Sequence, residues 1–139
     1  MNALYTATAH THGGRNGHVE TSDGALKLDL AMPKELGGTG NGNNPEQLFA
    51  AGYAACFESA LRYVAQMEKI KLEDAAMNAE VSLYPTPEKG FKLGVKLHAQ
   101  IKGLSQQEAE ALVEKAHKVC PYSNATRGNI DVDLSVTAE

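Results

Sequence analysis

Residues 44–67, NPEQLFAAGYAACFESALRYVAQM, predict one long helix around which the rest of the chain is organised. Asn44 is a good N-cap, and Pro45 suits the first helical position, where a missing N–H costs nothing. No charged residue occurs in 48–57, and a helix that is apolar on every side is expected to be buried on every side. Cys56 lies in the middle of this uncharged run. The sequence therefore predicts a buried central helix that carries a thiol.

Length and composition indicate a single domain over residues 1–139. A net charge of −4 gives no support to binding of nucleic acids or anionic membranes. No uncharged apolar run approaches the ~20 residues of a membrane span. The first residues have neither the basic start nor the apolar core of a signal peptide. Two cysteines are too few for a disulfide-built secreted domain. We therefore expect a cytoplasmic protein with reduced thiols.

Alternation of apolar and polar residues predicts the strands. We expect them at 4–11, 18–21, 26–30, 75–84, 91–102 and 130–137. Ser105 and Glu108 form a capping box for a second, amphipathic helix, which stops near Cys120 because Pro121 follows. The pattern indicates an α+β fold, with a largely antiparallel sheet packed on the long central helix and on the second helix. A chain of 139 residues with only two helices has difficulty covering one of them on every side, so we expect an intertwined homodimer.

The two cysteines are the main candidates for chemistry. Both lie on apolar faces of the two helices, so the thiols could meet in the core. Cys120, beside Pro121, is expected to be the less buried. A reactive Cys56 in mid-helix needs a cation, since the helix dipole gives a thiolate little support there. Arg15, in the loop GGRNG, is the attractive donor. The alternative is that both thiols only pack, as small apolar side chains do.

Four other interpretations compete with these candidates. The glycine-rich segment 33–44 precedes a helix, as in phosphate-binding loops, but it matches neither GxGxxG nor GxxxxGK[ST]. His10 and His12 alternate on one strand face, without an acid or a cysteine at matching spacing for a metal, so we expect no metal site. A non-enzymatic carrier of apolar ligands and a redox sensor that does not turn over are the remaining possibilities.

Two long segments carry a family resemblance. PKELGGTGNGNNPEQLFAAGYAACF and VEKAHKVCPYSNATRGNIDV, together with GGRNG and TSDGALKLDL, resemble the organic hydroperoxide resistance family within the wider Ohr/OsmC group. The resemblance covers essentially the whole chain. It implies a cysteine-based peroxidase, an intertwined α/β homodimer, that reduces organic hydroperoxides to alcohols without metal, haem or flavin.

The resemblance also implies roles for individual residues. Cys56 matches the peroxidatic cysteine and Cys120 the resolving cysteine, which would form a disulfide with it. Arg15 matches an activating arginine, and Glu46 matches the carboxylate that holds it. The reductant implied is an external dithiol, typically a lipoyl group. The apolar surroundings of the thiols, which would suit a fatty-acyl or aryl hydroperoxide, comprise Phe49, Tyr53, Phe57 and Tyr122.

Glu46 and Cys56 pose a geometric problem. Ten residues of uninterrupted helix span about 15 Å along the axis, so Arg15 cannot easily contact both in one straight helix. Either the helix is interrupted near Gly52, or the Arg15–Glu46 pair reaches a Cys56 across the dimer interface. The second arrangement fits an intertwined dimer better.

Overall fold

The computed structural model describes all residues 1–139 and confirms the α+β class. Six strands and three α-helices follow one another along the chain. In order they are β1 (Ala9–His12), β2 (His18–Thr21), β3 (Lys27–Asp29), α1 (Pro45–Met67), β4 (Asp74–Pro85), β5 (Phe91–Lys102), α2 (Gln106–Val119), α3 (Pro121–Thr126) and β6 (Val132–Ala138). Contacts group them into two compact units, 1–48 and 49–139. None of the helices combines the length and apolar character that crossing a bilayer requires.

The first unit contains an antiparallel sheet of order β1-β2-β3. A short 3-10 turn, Gly14–Asn16, joins β1 to β2. The prediction that the first strand begins at residue 4 is wrong, because β1 starts at Ala9. Residues 4–8 are exposed. Strand β2 ends at Thr21, opposite Ala9, and beyond it only the Ser22 N–H donates a hydrogen bond, to the Thr8 carbonyl, so residues 4–7 have no strand partner.

The glycine-rich segment of the first unit folds back onto β3. Asn43 pairs with Leu30 in an isolated bridge. Its carbonyl accepts a hydrogen bond from the Ala31 N–H, and its own N–H donates to the carbonyl of Asp29. These bonds fix where α1 begins relative to the first sheet. The segment therefore sets the position of the first turn of α1.

The second unit contains a sheet of order β4-β5-β6, in which β4 and β5 are antiparallel and β5 and β6 are parallel. The two sheets together are largely antiparallel, as predicted, although the sequence suggested one sheet rather than two. Strand β5 has the predicted bounds. Its register places Lys96 opposite Asp133 of β6. The other face of β5 contributes Leu97, Ala99 and Ile101 to the core.

Helix α1 begins as the sequence predicts and continues without a break through Gly52. The Asn44 side chain accepts a hydrogen bond from the Gln47 N–H at 2.9 Å, and the Gln47 side chain accepts one from the Asn44 N–H at 3.1 Å. Burial is one-sided in the single chain, since Ala51 and Ala55 are exposed. Burial on every side, as expected from the uncharged run, would require a second chain.

Helix α2 has the predicted capping box, with Ser105 and Glu108 each accepting from the other's backbone N–H. It ends at Val119, and Cys120 is its C-cap. The chain does not leave the core there. Pro121 starts the six-residue helix α3, which the sequence reading did not foresee. This extra turn places the residues that follow Cys120 against α2.

Candidate active site

The two thiols meet in the core of the second unit. The Cys120 Sγ lies 3.6 Å from the Cys56 Sγ and donates its S–H toward it. Both cysteines are free. The expectation that Cys120 is the less buried of the two is wrong: it has no exposed surface, whereas Cys56 is half-buried. The reason is α3, which begins at Pro121 and keeps the chain on the core.

The surroundings of Cys56 favour the neutral thiol. Burial raises its pKa, because a thiolate is poorly solvated away from water. The Tyr122 backbone N–H donates a hydrogen bond to it, which acts in the opposite direction, and the neighbouring Cys120 raises the pKa further. Since the thiolate is the nucleophilic form, a cation near Cys56 would be needed to make it reactive at neutral pH.

Aromatic rings lie next to the thiols. Phe49, Tyr53 and Tyr122 form a cluster with ring centroids 5.7 to 6.1 Å apart. Gly52 makes this packing possible, because a Cβ there would lie 2.8 Å from the Tyr122 hydroxyl. Phe57 is outside the cluster and packs beside the His117 ring at 6.3 Å.

The four aromatic side chains differ in their exposure to solvent. Tyr53 and Phe57 are completely buried. Phe49 is half-buried, and Tyr122 is 39% exposed. Only Phe49 and Tyr122 therefore present ring surface that a ligand could reach. Tyr53 supports both of these rings from within the core, whereas Phe57 packs beside His117.

A chain of hydrogen bonds connects the three helices that carry or flank the cysteines. The Tyr53 hydroxyl lies 2.8 Å from the Ser123 Oγ and 3.2 Å from the Thr126 Oγ1. The Ser123 Oγ lies 2.8 Å from the His117 Nδ1. Sequence reasoning missed Ser123, Thr126 and His117. The only signal was two hydroxyl residues within the short α3 segment, too little to indicate burial.

Arg15 and Glu46 form an ion pair in the first unit. The two terminal nitrogens of Arg15 donate to the two carboxylate oxygens of Glu46, at 2.9 and 2.6 Å. Glu46 lies in the first turn of α1, where the helix dipole stabilises a negative charge. The hydrogen bonds to Arg15 lower the pKa of Glu46, and the same contact raises that of Arg15. The guanidinium is thus held in one orientation while remaining one-third exposed.

The loop geometry that presents Arg15 depends on close backbone packing. A Cβ on Gly17 would lie 1.8 Å from the His12 carbonyl oxygen, so only glycine fits. The Asn16 side chain accepts a hydrogen bond from the Met32 N–H at 3.1 Å. The Gly17 carbonyl accepts one from the Leu30 N–H at 2.8 Å. These contacts tie the GGRNG loop to the end of β3.

The other two arginines have different partners. Arg62 contacts Glu58 at 3.0 Å and donates to the Ala75 carbonyl at 3.0 Å. Arg127 donates to Asn124 at 2.7 Å and to the His117 carbonyl. Each stabilises local structure in the second unit.

His10 and His12 lie on the exposed strand β1. No group of three or more histidine, cysteine, aspartate or glutamate side chains in the structure is placed to hold a metal ion. His18 instead contacts two carboxylates, Asp29 at 3.0 Å and Glu20 at 3.1 Å. The hydrogen bond that the His18 ring donates to the Asp29 carboxylate is the main cause of the raised pKa of His18. This group fastens β2 to β3 immediately after the GGRNG loop.

Comparison with known proteins identifies the family to which the chain belongs. The OsmC-like protein family profile matches residues 38–135. The organic hydroperoxide resistance protein OhrA of Bacillus subtilis is 54% identical over 139 residues, covering 96% of each chain. A crystal structure of an organic hydroperoxide resistance protein from Legionella pneumophila is 75% identical, with a TM-score of 0.96, over 98% of this chain and 99% of that one. One from Elizabethkingia anophelis is 51% identical, with a TM-score of 0.96 over the full length of both chains. The chain therefore belongs to the organic hydroperoxide resistance proteins of the OsmC-like family.

Proposed function

We propose that this protein is a thiol-dependent peroxidase that reduces organic hydroperoxides to alcohols and so protects cells from oxidative stress. The observation that carries the proposal is the pair of free thiols 3.6 Å apart beside accessible aromatic rings. Relatives at about half identity are named for organic hydroperoxide resistance. A close thiol pair is the arrangement that a two-cysteine reduction requires.

Cys56 is the proposed peroxidatic residue, because it is the thiol with an exposed fraction. Its thiolate attacks the distal oxygen of the hydroperoxide, and the alkoxide leaves and takes up a proton as the alcohol. Cys56 is left as a sulfenic acid. The Cys120 sulfur then attacks the Cys56 sulfur, the sulfenic hydroxyl leaves as water with the Cys120 proton, and a disulfide forms. The sulfur atoms must approach by about 1.5 Å, since a disulfide bond is about 2.05 Å long.

Arg15 is the proposed activating cation. A guanidinium beside Cys56 would offset the burial that raises the pKa of this thiol. It would also stabilise the charge that builds on the departing oxygen. Because α1 is continuous through Gly52, an interrupted helix does not bring the Arg15–Glu46 pair to Cys56. We therefore assign Arg15 and Glu46 of one protomer to the Cys56 of a second protomer in a homodimer.

The proposed substrate is a hydroperoxide with an apolar group, fatty-acyl, alkyl or aryl. Phe49 and Tyr122 present the aromatic surface, and burial of apolar area against them would favour such a substrate over hydrogen peroxide. Tyr53 would back this surface from the core.

The proposed reductant is an external dithiol such as a lipoyl group, as the family resemblance implies, with no resident cofactor. Its first thiolate opens the disulfide by exchange, and its second releases the mixed disulfide. Both protein thiols are then regenerated while the dithiol is oxidised. A lipoyl group carried by another protein could enter the same apolar surface as the substrate.

A turnover assay tests the proposal. Consumption of tert-butyl hydroperoxide and of hydrogen peroxide is compared, each with dihydrolipoamide and with thioredoxin as reductant. We expect sustained turnover with the organic peroxide and the lipoyl dithiol, and much slower turnover in the other combinations. Oxidation without turnover would indicate a redox sensor. No thiol loss, together with lipid binding that a double Cys→Ser variant retains, would indicate a carrier.

A further inference from the structure

The hydrogen-bonded chain His117–Ser123–Tyr53–Thr126 is placed symmetrically about the two thiols. Tyr53 precedes Cys56 by three residues, one turn of α1. His117 precedes Cys120 by three residues on α2, and Ser123 follows it by three on α3. One connected set of bonds therefore joins the three helices that carry or flank the cysteines.

The directions of these hydrogen bonds follow from the bond that Thr126, at one end of the hydrogen-bonded chain, donates to a backbone carbonyl. The Thr126 hydroxyl donates to the Ser123 carbonyl at 3.2 Å, so it accepts from the Tyr53 hydroxyl. Tyr53 then accepts from the Ser123 hydroxyl, which in turn accepts from the His117 Nδ1–H. Each of the three hydroxyl groups, and the His117 Nδ1–H, then donates one hydrogen bond. The chain thus requires a donor at the position of the His117 Nδ1.

Burial makes this chain costly to break. Tyr53 and Ser123 have no exposed surface, and Thr126 is 4% exposed. A buried hydroxyl that loses its partner costs about 1–3 kcal/mol. Helix α3 has only six residues, and Cys120 joins it to α2. If one of these hydroxyls loses its partner, we therefore expect α3 to shift and to move Cys120 with it.

We propose that His117, Ser123, Tyr53 and Thr126 are positioning residues that hold Cys120 where it captures the oxidised Cys56 before a second peroxide does. The inference rests on the proposed peroxidase function. Two fates compete for the Cys56 sulfenic acid. Attack by Cys120 gives the disulfide and water, whereas a second hydroperoxide gives the sulfinic acid and a second alcohol. The position of Cys120 affects only the first reaction.

The test measures the products of peroxide treatment by mass spectrometry. Reduced protein receives excess tert-butyl hydroperoxide without reductant, and the ratio of Cys56 sulfinic acid to Cys56–Cys120 disulfide is determined. We expect the ratio to rise about tenfold in Tyr53→Phe and His117→Leu, since a misplacement near 1 Å slows an intramolecular step strongly. The initial rate of Cys56 thiol loss should change much less.

A conservative substitution of His117 distinguishes a positioning role from general destabilisation of the fold. His117→Asn retains a side-chain N–H close to the position of Nδ1, so its product ratio should return toward that of the wild type. His98→Leu is the matched control, because His98 also forms hydrogen bonds with hydroxyl groups, Ser135 at 2.7 Å and Thr137 at 3.0 Å, on the other face of β5. It should leave the ratio unchanged. Equal ratios in His117→Leu, His117→Asn and wild type would overturn the inference.

Tyr53→Phe in a Cys120→Ser protein shows which of the two cysteines the hydrogen-bonded chain acts on. In Cys120→Ser the disulfide cannot form, so Tyr53→Phe should add nothing to the rate of over-oxidation. An equal increase in both backgrounds would mean that the chain acts on Cys56 and would contradict the assignment to Cys120. If the wild type neither loses its Cys56 thiol nor forms the disulfide, the peroxidase function itself is wrong. If the wild type forms the disulfide and the variants give the same ratio of sulfinic acid to disulfide as the wild type, only the positioning role is wrong.

Discussion

Cys56 has a raised pKa because it is buried and adjacent to a second thiol, and only the Tyr122 N–H opposes this. Arg15 is held by Glu46 through two hydrogen bonds, which orient its planar group. In the proposed mechanism, the Arg15 guanidinium, held by Glu46, supplies the positive charge that the Cys56 thiol needs in order to ionise.

Arg15→Ala should slow the reaction of Cys56 with tert-butyl hydroperoxide by about 100-fold or more, the usual effect of losing a donor to a developing oxyanion. The Cys56 titration should also move to higher pH, because one stabilising charge is lost. Arg15→Lys restores the charge without the planar fork and should recover activity only in part. Rapid alkylation across a pH series measures the titration.

Arg62→Ala is the matched control for this variant. Arg62 also pairs with a glutamate, Glu58, but that pair fastens the surface of α1. It should leave the peroxide rate and the thiol titration unchanged. Coincident titrations and equal rates for Arg15→Ala and the wild type would show that Arg15 is only a loop residue.

Glu46 gives the ion pair a defined dependence of stability on pH. Its pKa lies below the ordinary value of 4.5, so the pair contributes stability above pH 4.5 and loses it as the pH falls through the lowered pKa. Urea unfolding should find the wild type more stable than Glu46→Gln at pH 7, with the difference shrinking below pH 4.5. Glu88→Gln, an exposed turn residue, should show no such difference. A constant difference down to pH 3 would contradict the assigned pKa shift.

Individual elements differed in how far the sequence determined them. Strand β5 was predicted with its observed bounds, because strict alternation of side chains reflects one buried face. Residues 4–8 alternate too, but strand formation there needs a partner that β2 is too short to supply. Helix α3 escaped detection because six residues after a proline carry no periodicity. Without α3, the burial of Cys120 could not be inferred.

Gly52→Ala tests how α1 and α3 fit together. Alanine is favoured over glycine in a helix by about 1 kcal/mol, yet its Cβ would lie 2.8 Å from the Tyr122 hydroxyl. We expect the Tyr122 ring to be displaced and its backbone hydrogen bond to Cys56 to weaken. The rate of Cys56 thiol loss with cumene hydroperoxide should fall severalfold.

A double-mutant cycle provides the control for Gly52→Ala. In a Tyr122→Ala background the clash is absent, so the added Gly52→Ala should leave the rate unchanged and stabilise the helix. An equal loss of rate in both backgrounds would mean that Gly52 acts through something other than Tyr122.

At the scale of the whole molecule, the single chain leaves apolar side chains in water. Phe91 is 73% exposed and Met67 65%, and one side of α1 is uncovered. These surfaces agree with the proposed homodimer, although the sequence could not indicate which surfaces meet. The site residues of each chain fall into two groups, the thiols in one unit and the arginine–glutamate pair in the other. In the proposed dimer, each active site combines one group from each protomer.

Mixed dimers test this arrangement. Arg15→Ala and Cys56→Ser chains are co-expressed, and we expect the homodimer of the first to be strongly slowed and that of the second to be inactive. In a mixed dimer, the intact Arg15 of one chain can serve the intact Cys56 of the other. Random pairing makes half of the dimers mixed, each with one working site, so activity should return to roughly one quarter of the wild type. No recovery in isolated mixed dimers would place Arg15 and Cys56 of the same chain in one site.

In the proposed mechanism, an organic hydroperoxide oxidises Cys56, which then forms a disulfide with Cys120. Intact-mass measurement after one equivalent of tert-butyl hydroperoxide, with peptide mapping of the product, tests both steps at once. The wild type should lose two hydrogen atoms and yield a linked Cys56–Cys120 peptide. Cys120→Ser should gain one oxygen on Cys56, and Cys56→Ser should not react. An unchanged wild-type mass, or oxygen added at Cys120 with Cys56 untouched, would contradict the account.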